Sequence, residues 1–206
     1  MTLVEMSVGR FARELSGGAA TPGGGSAAAL AGALGACLCA MTARLTVGRE
    51  KFREAWAEME VVMAEADELA ARLIELVDED ARAYEKVMAA YKIPKEDEAR
   101  RAEAIQTAMK EAAGVPFQTL EAVARAAELA EKALARGNPN CLSDVGVAGQ
   151  LLRAAAMGAA YNVRINLPAL KDQELVGRLE RETRSFLDRV LAAADRLENE
   201  MARKLA

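Results

Sequence analysis

From Glu50 to Tyr91 apolar residues return every three or four positions: Phe52, Trp56, Met59, Met63, Ala66, Ala70, Leu73 and Val77, then Tyr84, Val87 and Tyr91. That stepping matches the 3.6-residue turn of a helix with one face on a core, and it predicts one long helix over this span. Between Val77 and Tyr84 the seam lands on Asp80. A carboxylate at a core position is costly unless it is paired or used. Asp80 is therefore the most informative acid in the chain, open to a structural ion pair or to a functional role.

The remaining pattern is helical as well. Residues 3 to 15 form a short amphipathic segment through Leu3, Val8, Phe11, Ala12 and Leu15. Three glycines in the loop Thr21-Pro22-Gly23-Gly24-Gly25-Ser26 allow a sharp turn or a close approach, and Ser26 is placed to cap the helix that follows. That helix, Ala27 to about Thr46, has no charge before Arg44 and carries small residues at Ala28, Gly32, Gly35, Ala36 and Cys39. Its length would suffice for a membrane span, but Ala, Gly, Ser and Cys make insertion unfavourable, so a buried bundle helix is predicted. Gly48 breaks it, and Pro94 ends the long helix.

A fourth helix is predicted over Lys95–Ala113. A fifth starts at Pro116, which suits a first helical turn, and runs to Ala135. The loop from Gly137 to Asp144 ends in Ser143 and Asp144, either of which would cap a sixth helix. Val145, Ala148, Leu152, Ala155 and Ala159 give that helix an apolar face, which continues onto Asn162 and Asn166. Two amides there need partners, either loop carbonyls or a polar heterocycle. A last helix spans Asp172 to Arg203. The expectation is one all-α domain over residues 1–206: a bundle of about seven helices with a long central helix and a buried Ala/Gly-rich helix.

Composition narrows the chemistry. The chain of 206 residues has a net charge of −4 and 4% aromatics, so neither a nucleic acid nor an acidic membrane is the expected partner. Charged residues early in the chain leave no room for a secretory leader, and three cysteines read as small core residues of a cytoplasmic protein. There is no histidine, which excludes Ser-His-Asp and Cys-His catalysis and leaves little basis for a metal site. Catalysis would rest on carboxylates, hydroxyls, amides or backbone. Two carboxylates in a partly dry pocket can have their pKa values pushed apart and so act as acid and base.

Thr21-Pro22-Gly23-Gly24-Gly25-Ser26, Gly48-x-x-x-Phe52, Val77-Asp78-x-Asp80, Ile93-Pro94-Lys95, Val115-Pro116, Gly137-Asn138-x-x-Cys141-x-Ser143-Asp144 and Asn162-Val163-x-Ile165-Asn166-Leu167 occur in one order across nearly the whole chain. In this the chain resembles the cyclodeaminase domain of formiminotransferase-cyclodeaminase and the related stand-alone methenyltetrahydrofolate cyclohydrolases. The resemblance implies a helical enzyme, assembled as a homodimer or higher, that acts on a one-carbon tetrahydrofolate without metal or other cofactor. It would hydrolyse 5,10-methenyltetrahydrofolate, or form it from 5-formiminotetrahydrofolate with release of ammonia. The sequence lacks a formiminotransferase region, which favours the cyclohydrolase reaction.

On that resemblance Asp80 and Asp144 are the candidate acid and base. Thr21, Gly23, Gly24, Gly25, Ser26, Ser143, Asn162 and Asn166 are the candidate substrate-binding residues. Asp78 matches the motif but lies off the apolar seam, where solvent is expected. Arg44, Arg49, Lys51 and Lys95 flank the loops, where they would meet a glutamate tail or simply be solvated. The opposing reading is a non-catalytic folate-binding or scaffolding dimer whose polar residues only order loops.

Overall fold

The computed structural model describes residues 2–205, and among these it contains six α-helices and no strand. They are α1 (Val8–Leu15), α2 (Gly24–Arg44), α3 (Trp56–Tyr91), α4 (Glu98–Arg136), α5 (Leu142–Asn166) and α6 (Gln173–Leu205). Six replaces the expected seven because Pro116 does not start a helix. It lies inside the 39-residue α4. Proline removes the N–H that would bond the carbonyl four residues earlier, which here belongs to Ala112. The Asn166 side chain supplies the missing donor, with Nδ2 2.8 Å from Ala112 O. A carbonyl that would have broken the helix is thus satisfied from α5, and the helix runs through.

The long helix also begins later than its seam suggests. Glu50–Ala55 is a 3-10 segment in which Phe52 leaves helical geometry (φ −117°, ψ 18°), and α3 starts at Trp56. Gly48 (φ 78°) adopts the left-handed conformation that glycine tolerates and turns the chain between α2 and this segment. The short N-terminal helix begins at Val8 rather than near Leu3, and Val8 itself is 88% exposed. Leu3 and Phe11 tie this region to the core.

Packing centres on α2, which contacts α3, α5 and α4 and buries twelve of its residues. Missing side chains allow it. A Cβ on Gly32 would meet Val123 at 2.8 Å, and one on Gly35 would meet Leu152 at 2.7 Å. Two glycines thus bring α4 and α5 close to the α2 backbone, and an alanine-rich core fills the rest: Ala29, Ala33, Ala36, Ala126, Ala155 and Ala159 are each at most 1% exposed. Gly24–Arg44 meets the length and apolarity of a membrane span, yet most of it is enclosed by the other helices. What α2 leaves outward is apolar as well: Leu30, Leu34, Cys37, Leu38 and Met41 are partly or fully exposed.

Candidate functional site

The N-terminus of α2 and the middle of α3 meet at Asp80. Gly23, not Ser26, is the N-cap of α2, with Ala27 N–H donating to Gly23 O in the first helical bond. The N–H groups of Gly24, Gly25 and Ser26 therefore have no partner within the helix. Ser26 falls at the third helical position, fully buried. Its hydroxyl lies 2.9 Å from Asp80 Oδ2 and 3.0 Å from Val77 O. Asp80 occupies the space beside Gly25 that a side chain would fill, since a Cβ there would lie 2.0 Å from Oδ1. Only glycine at position 25 lets the carboxylate rest against the positive end of the α2 dipole. Burial pushes the Asp80 pKa up, and hydrogen bonds from the Ser26 hydroxyl and N–H pull it back.

Asn162 reaches the same place from α5. A Cβ on Gly24 would come within 3.7 Å of Asn162 Nδ2, an ordinary contact, so position 24 has room that position 25 lacks. Asn162 Nδ2 donates to Gly158 O at 2.8 Å. Asn166 Nδ2 lies 2.8 Å from both Ala112 O and Asn162 O, so its two N–H groups serve carbonyls in α4 and α5. Thr21 and Gly23 border this end half-buried, and Gly24 is exposed.

Asp144 sits elsewhere. Cys141 is the N-cap of α5 and makes no side-chain cap bond, so neither Ser143 nor Asp144 caps the helix; they are the second and third residues of its first turn. Ser143 is exposed and Asp144 half-buried. The neighbours at this end come from the other end of α2. Burial pushes the Cys141 thiol up, as does the charge of Asp144, while Arg49 and a hydrogen bond with Thr42 pull it down. Asn138 fastens the loop through N–H to Thr46 Oγ1 at 2.8 Å and Nδ2 to Leu45 O at 3.1 Å. Asp144 and Asn162 are eighteen residues apart on one helix. At 1.5 Å per residue that is about 27 Å. Asp80 and Asp144 of one chain therefore lie at opposite ends of the bundle.

The basic candidates divide similarly. Arg44 pairs with Asp67 on α3, and Lys51 stacks over Phe52 at 4.6 Å. Lys51 also lines a 660 Å³ cleft with Arg53 and Arg136, away from Asp80. Lys95 lines a 390 Å³ cleft with Arg101 and Lys171 beyond the C-terminal end of α3. Asp78, for which solvent was expected, is 8% exposed and accepts from Leu3 N–H at 2.6 Å. The chain before α1 folds over α3 and buries it. That contact spans 75 residues and leaves no periodic signal in the sequence.

Residues 7–185 match the family model described as formiminotransferase-cyclodeaminase. A methenyltetrahydrofolate cyclohydrolase from Methylorubrum extorquens is 36% identical over 190 residues, covering 91% of this chain and 91% of the relative. A formimidoyltransferase-cyclodeaminase from Sus scrofa is 35% identical over 208 residues, 98% of this chain, although the chain spans only 38% of that longer protein. Among solved structures, a formiminotetrahydrofolate cyclodeaminase from Thermotoga maritima superposes with a TM-score of 0.90 at 27% identity, over 98% of both chains.

Proposed function

This chain belongs to the formiminotransferase-cyclodeaminase family, and on that premise we propose that it is a one-carbon tetrahydrofolate enzyme working at the carbon between N5 and N10. The observation that carries the reading is the seat of Asp80: a part-buried carboxylate resting on the α2 N-terminus with no basic partner among the described residues. Similarity to a cyclohydrolase of matching length favours hydrolysis of 5,10-methenyltetrahydrofolate. The cyclodeaminase of matching length and fold keeps formation of that compound from 5-formiminotetrahydrofolate as the second reading.

In the hydrolytic direction water adds to the cationic methenyl carbon and gives a proton to a carboxylate. The C–N5 bond of the tetrahedral adduct then breaks as N5 takes a proton and the added oxygen becomes the formyl carbonyl. One proton is released overall, and the product is 10-formyltetrahydrofolate. In the deaminating direction N10 attacks the formimino carbon and loses its proton. The former imino nitrogen is protonated and leaves as ammonia. Both routes need a base that becomes an acid within one turnover. Asp80 and Asp144 would share that work, with Thr21, Gly23, Gly24, Gly25 and Asn162 framing the pterin and Asn166 bracing Asn162 from behind. Ser143, exposed beside Asp144, would contact the same substrate from the other side. No metal or additional cofactor enters either step.

Asp144 stands about 27 Å along α5 from Asn162, at whose end Asp80 sits, so the two carboxylates cannot serve one carbon within a chain. A homodimer resolves this. Leu34 stands midway along α2, with Leu30, Leu38 and Met41 around it and Val147, Leu151, Tyr161 and Ile165 of α5 alongside. Pairing two such faces about a two-fold axis near Leu34 sets α2 antiparallel to its copy and brings the Asp80 end of one chain to the Asp144 end of the other. Loss of the methenyltetrahydrofolate absorption band tests hydrolysis, and its appearance from 5-formiminotetrahydrofolate tests deamination. Inertness toward both substrates would favour the non-catalytic binding protein.

A further inference from the structure

Ser26 Oγ is a buried hydroxyl with one proton and two oxygens in range, Asp80 Oδ2 at 2.9 Å and Val77 O at 3.0 Å. A hydroxyl donates once and accepts as well. When Asp80 is ionised, the Ser26 proton points to Oδ2, and Val77 O keeps its own helical donor in α3. When Asp80 is protonated, the acid O–H donates to Ser26 Oγ and the hydroxyl turns to Val77 O. The two arrangements differ by one hydroxyl rotation. Neither leaves the carboxyl without a partner in a site where an unmet polar group is costly.

We propose that Ser26 is a positioning residue that never touches substrate: its hydroxyl swings between Asp80 Oδ2 and Val77 O, so that the carboxyl is held in place in both its ionised and its protonated form. This deepens the proposed function and rests on it, since a group that must be base and then acid needs a partner in both states; the bond to the ionised carboxylate is the stronger of the two, so losing the hydroxyl costs the anion more. At the cap position its oxygen would instead be engaged by the N–H groups of the first helical turn.

Few other groups compete for control of Asp80. α2 carries no charge before Arg44 at its far end, and the α5 side chain that meets the α2 N-terminus is the uncharged Asn162, with Arg164 two residues on exposed to solvent. On α3, Asp78 is turned to Leu3 N–H, Glu79 is paired with Arg72, and Tyr84 is exposed. Glu111 of α4 is paired with Lys86, and Gln118 with Arg72. Burial raises the Asp80 pKa and the Ser26 hydrogen bonds lower it.

The test follows Asp80 directly, by carbon NMR of the aspartate side-chain carboxyls in the full-length protein, with the signal assigned by its loss in Asp80→Asn. Ser26→Ala, with Ser26→Gly as a second hydroxyl deletion should the first fold poorly, is expected to move the Asp80 titration to higher pH. The acid limb of the rate profile is expected to move with it, and Ser26→Thr, which restores a hydroxyl, to bring both back. An Asp80 titration that stays put in the hydroxyl-free variants overturns the proposal. A titration that moves while the rate profile does not upholds the hold of Ser26 on Asp80 and removes Asp80 from the chemistry.

Discussion

Asp80 and Gly25 form one unit, because the carboxylate occupies the volume of an absent Cβ. Gly25→Ala must expel Asp80 from the α2 N-terminus, whereas Gly24→Ala meets only an ordinary contact with Asn162. A displacement of about 1 Å can cost roughly 10² in rate, so Gly25→Ala is expected to lose at least that in turnover, while Gly24→Ala, which leaves Asp80 seated, is expected to act mainly on KM through the pterin frame. Equal activity of the two variants would separate Asp80 from the reaction. Asp80→Asn keeps the shape and removes the proton-transfer group, for an expected fall in turnover of about 10² to 10⁴ with little change in KM.

The same substitution has a stability signature of opposite sign. Burial raises the folded-state pKa of Asp80 above its unfolded value, so the folded protein binds the extra proton and stability falls as pH rises through the folded pKa. Asp80→Asn removes that penalty. It is expected to raise the melting temperature at neutral pH, with the gain vanishing near pH 3, where Asp80 is protonated in both states. A variant less stable than wild type at neutral pH would instead make the ionised carboxylate a structural asset.

Among the elements, α4 shows how one side chain holds a helix together. Asn166 donates to the Ala112 carbonyl that Pro116 cannot serve. Asn166→Ala is expected to cost about 1 to 3 kcal/mol, the penalty for a part-buried carbonyl left unmet. Pro116→Ala restores the missing N–H, so in that background the Asn166→Ala cost is expected to shrink by at least half. Thermal melts of the four proteins in the double-mutant cycle measure the coupling, and additive effects would refute it. The ion pairs that decorate the outside, such as Arg125 with Glu65 and Arg196 with Glu131, are exposed and contribute little individually.

For the whole molecule, the decisive property is whether two chains share a site. Leu34→Glu places a charge at the proposed two-fold axis, and light scattering is expected to return a monomer that keeps its helical content and loses activity. Mixing inactive Asp80→Asn and Asp144→Asn chains tests the shared site more sharply. In a mixed dimer one site carries both substitutions and the other is intact, so random re-pairing restores about a quarter of wild-type activity. Sites confined to single chains would stay dead in every pairing.

The hydrophobic period was enough to establish an all-helical chain, because three-and-four stepping with no alternation permits nothing else. It also singled out Asp80, since a charge interrupting an apolar seam is a local signal. The absence of histidine likewise limited the chemistry before any fold was known. Tertiary structure decided matters that depend on partners distant in sequence. Pro116 reads locally as a helix start, and only Asn166, fifty residues later, turns it into a helix interior. Asp78 reads as solvated until Leu3 folds over it. Ser26 reads as a cap because a residue after three glycines usually is one, yet the helix begins earlier and frees its hydroxyl for Asp80. The motif order made Asp80 and Asp144 look like neighbours. The unbroken run of α5 from Leu142 to Asn166 places them at opposite ends, because a helix converts sequence separation directly into distance.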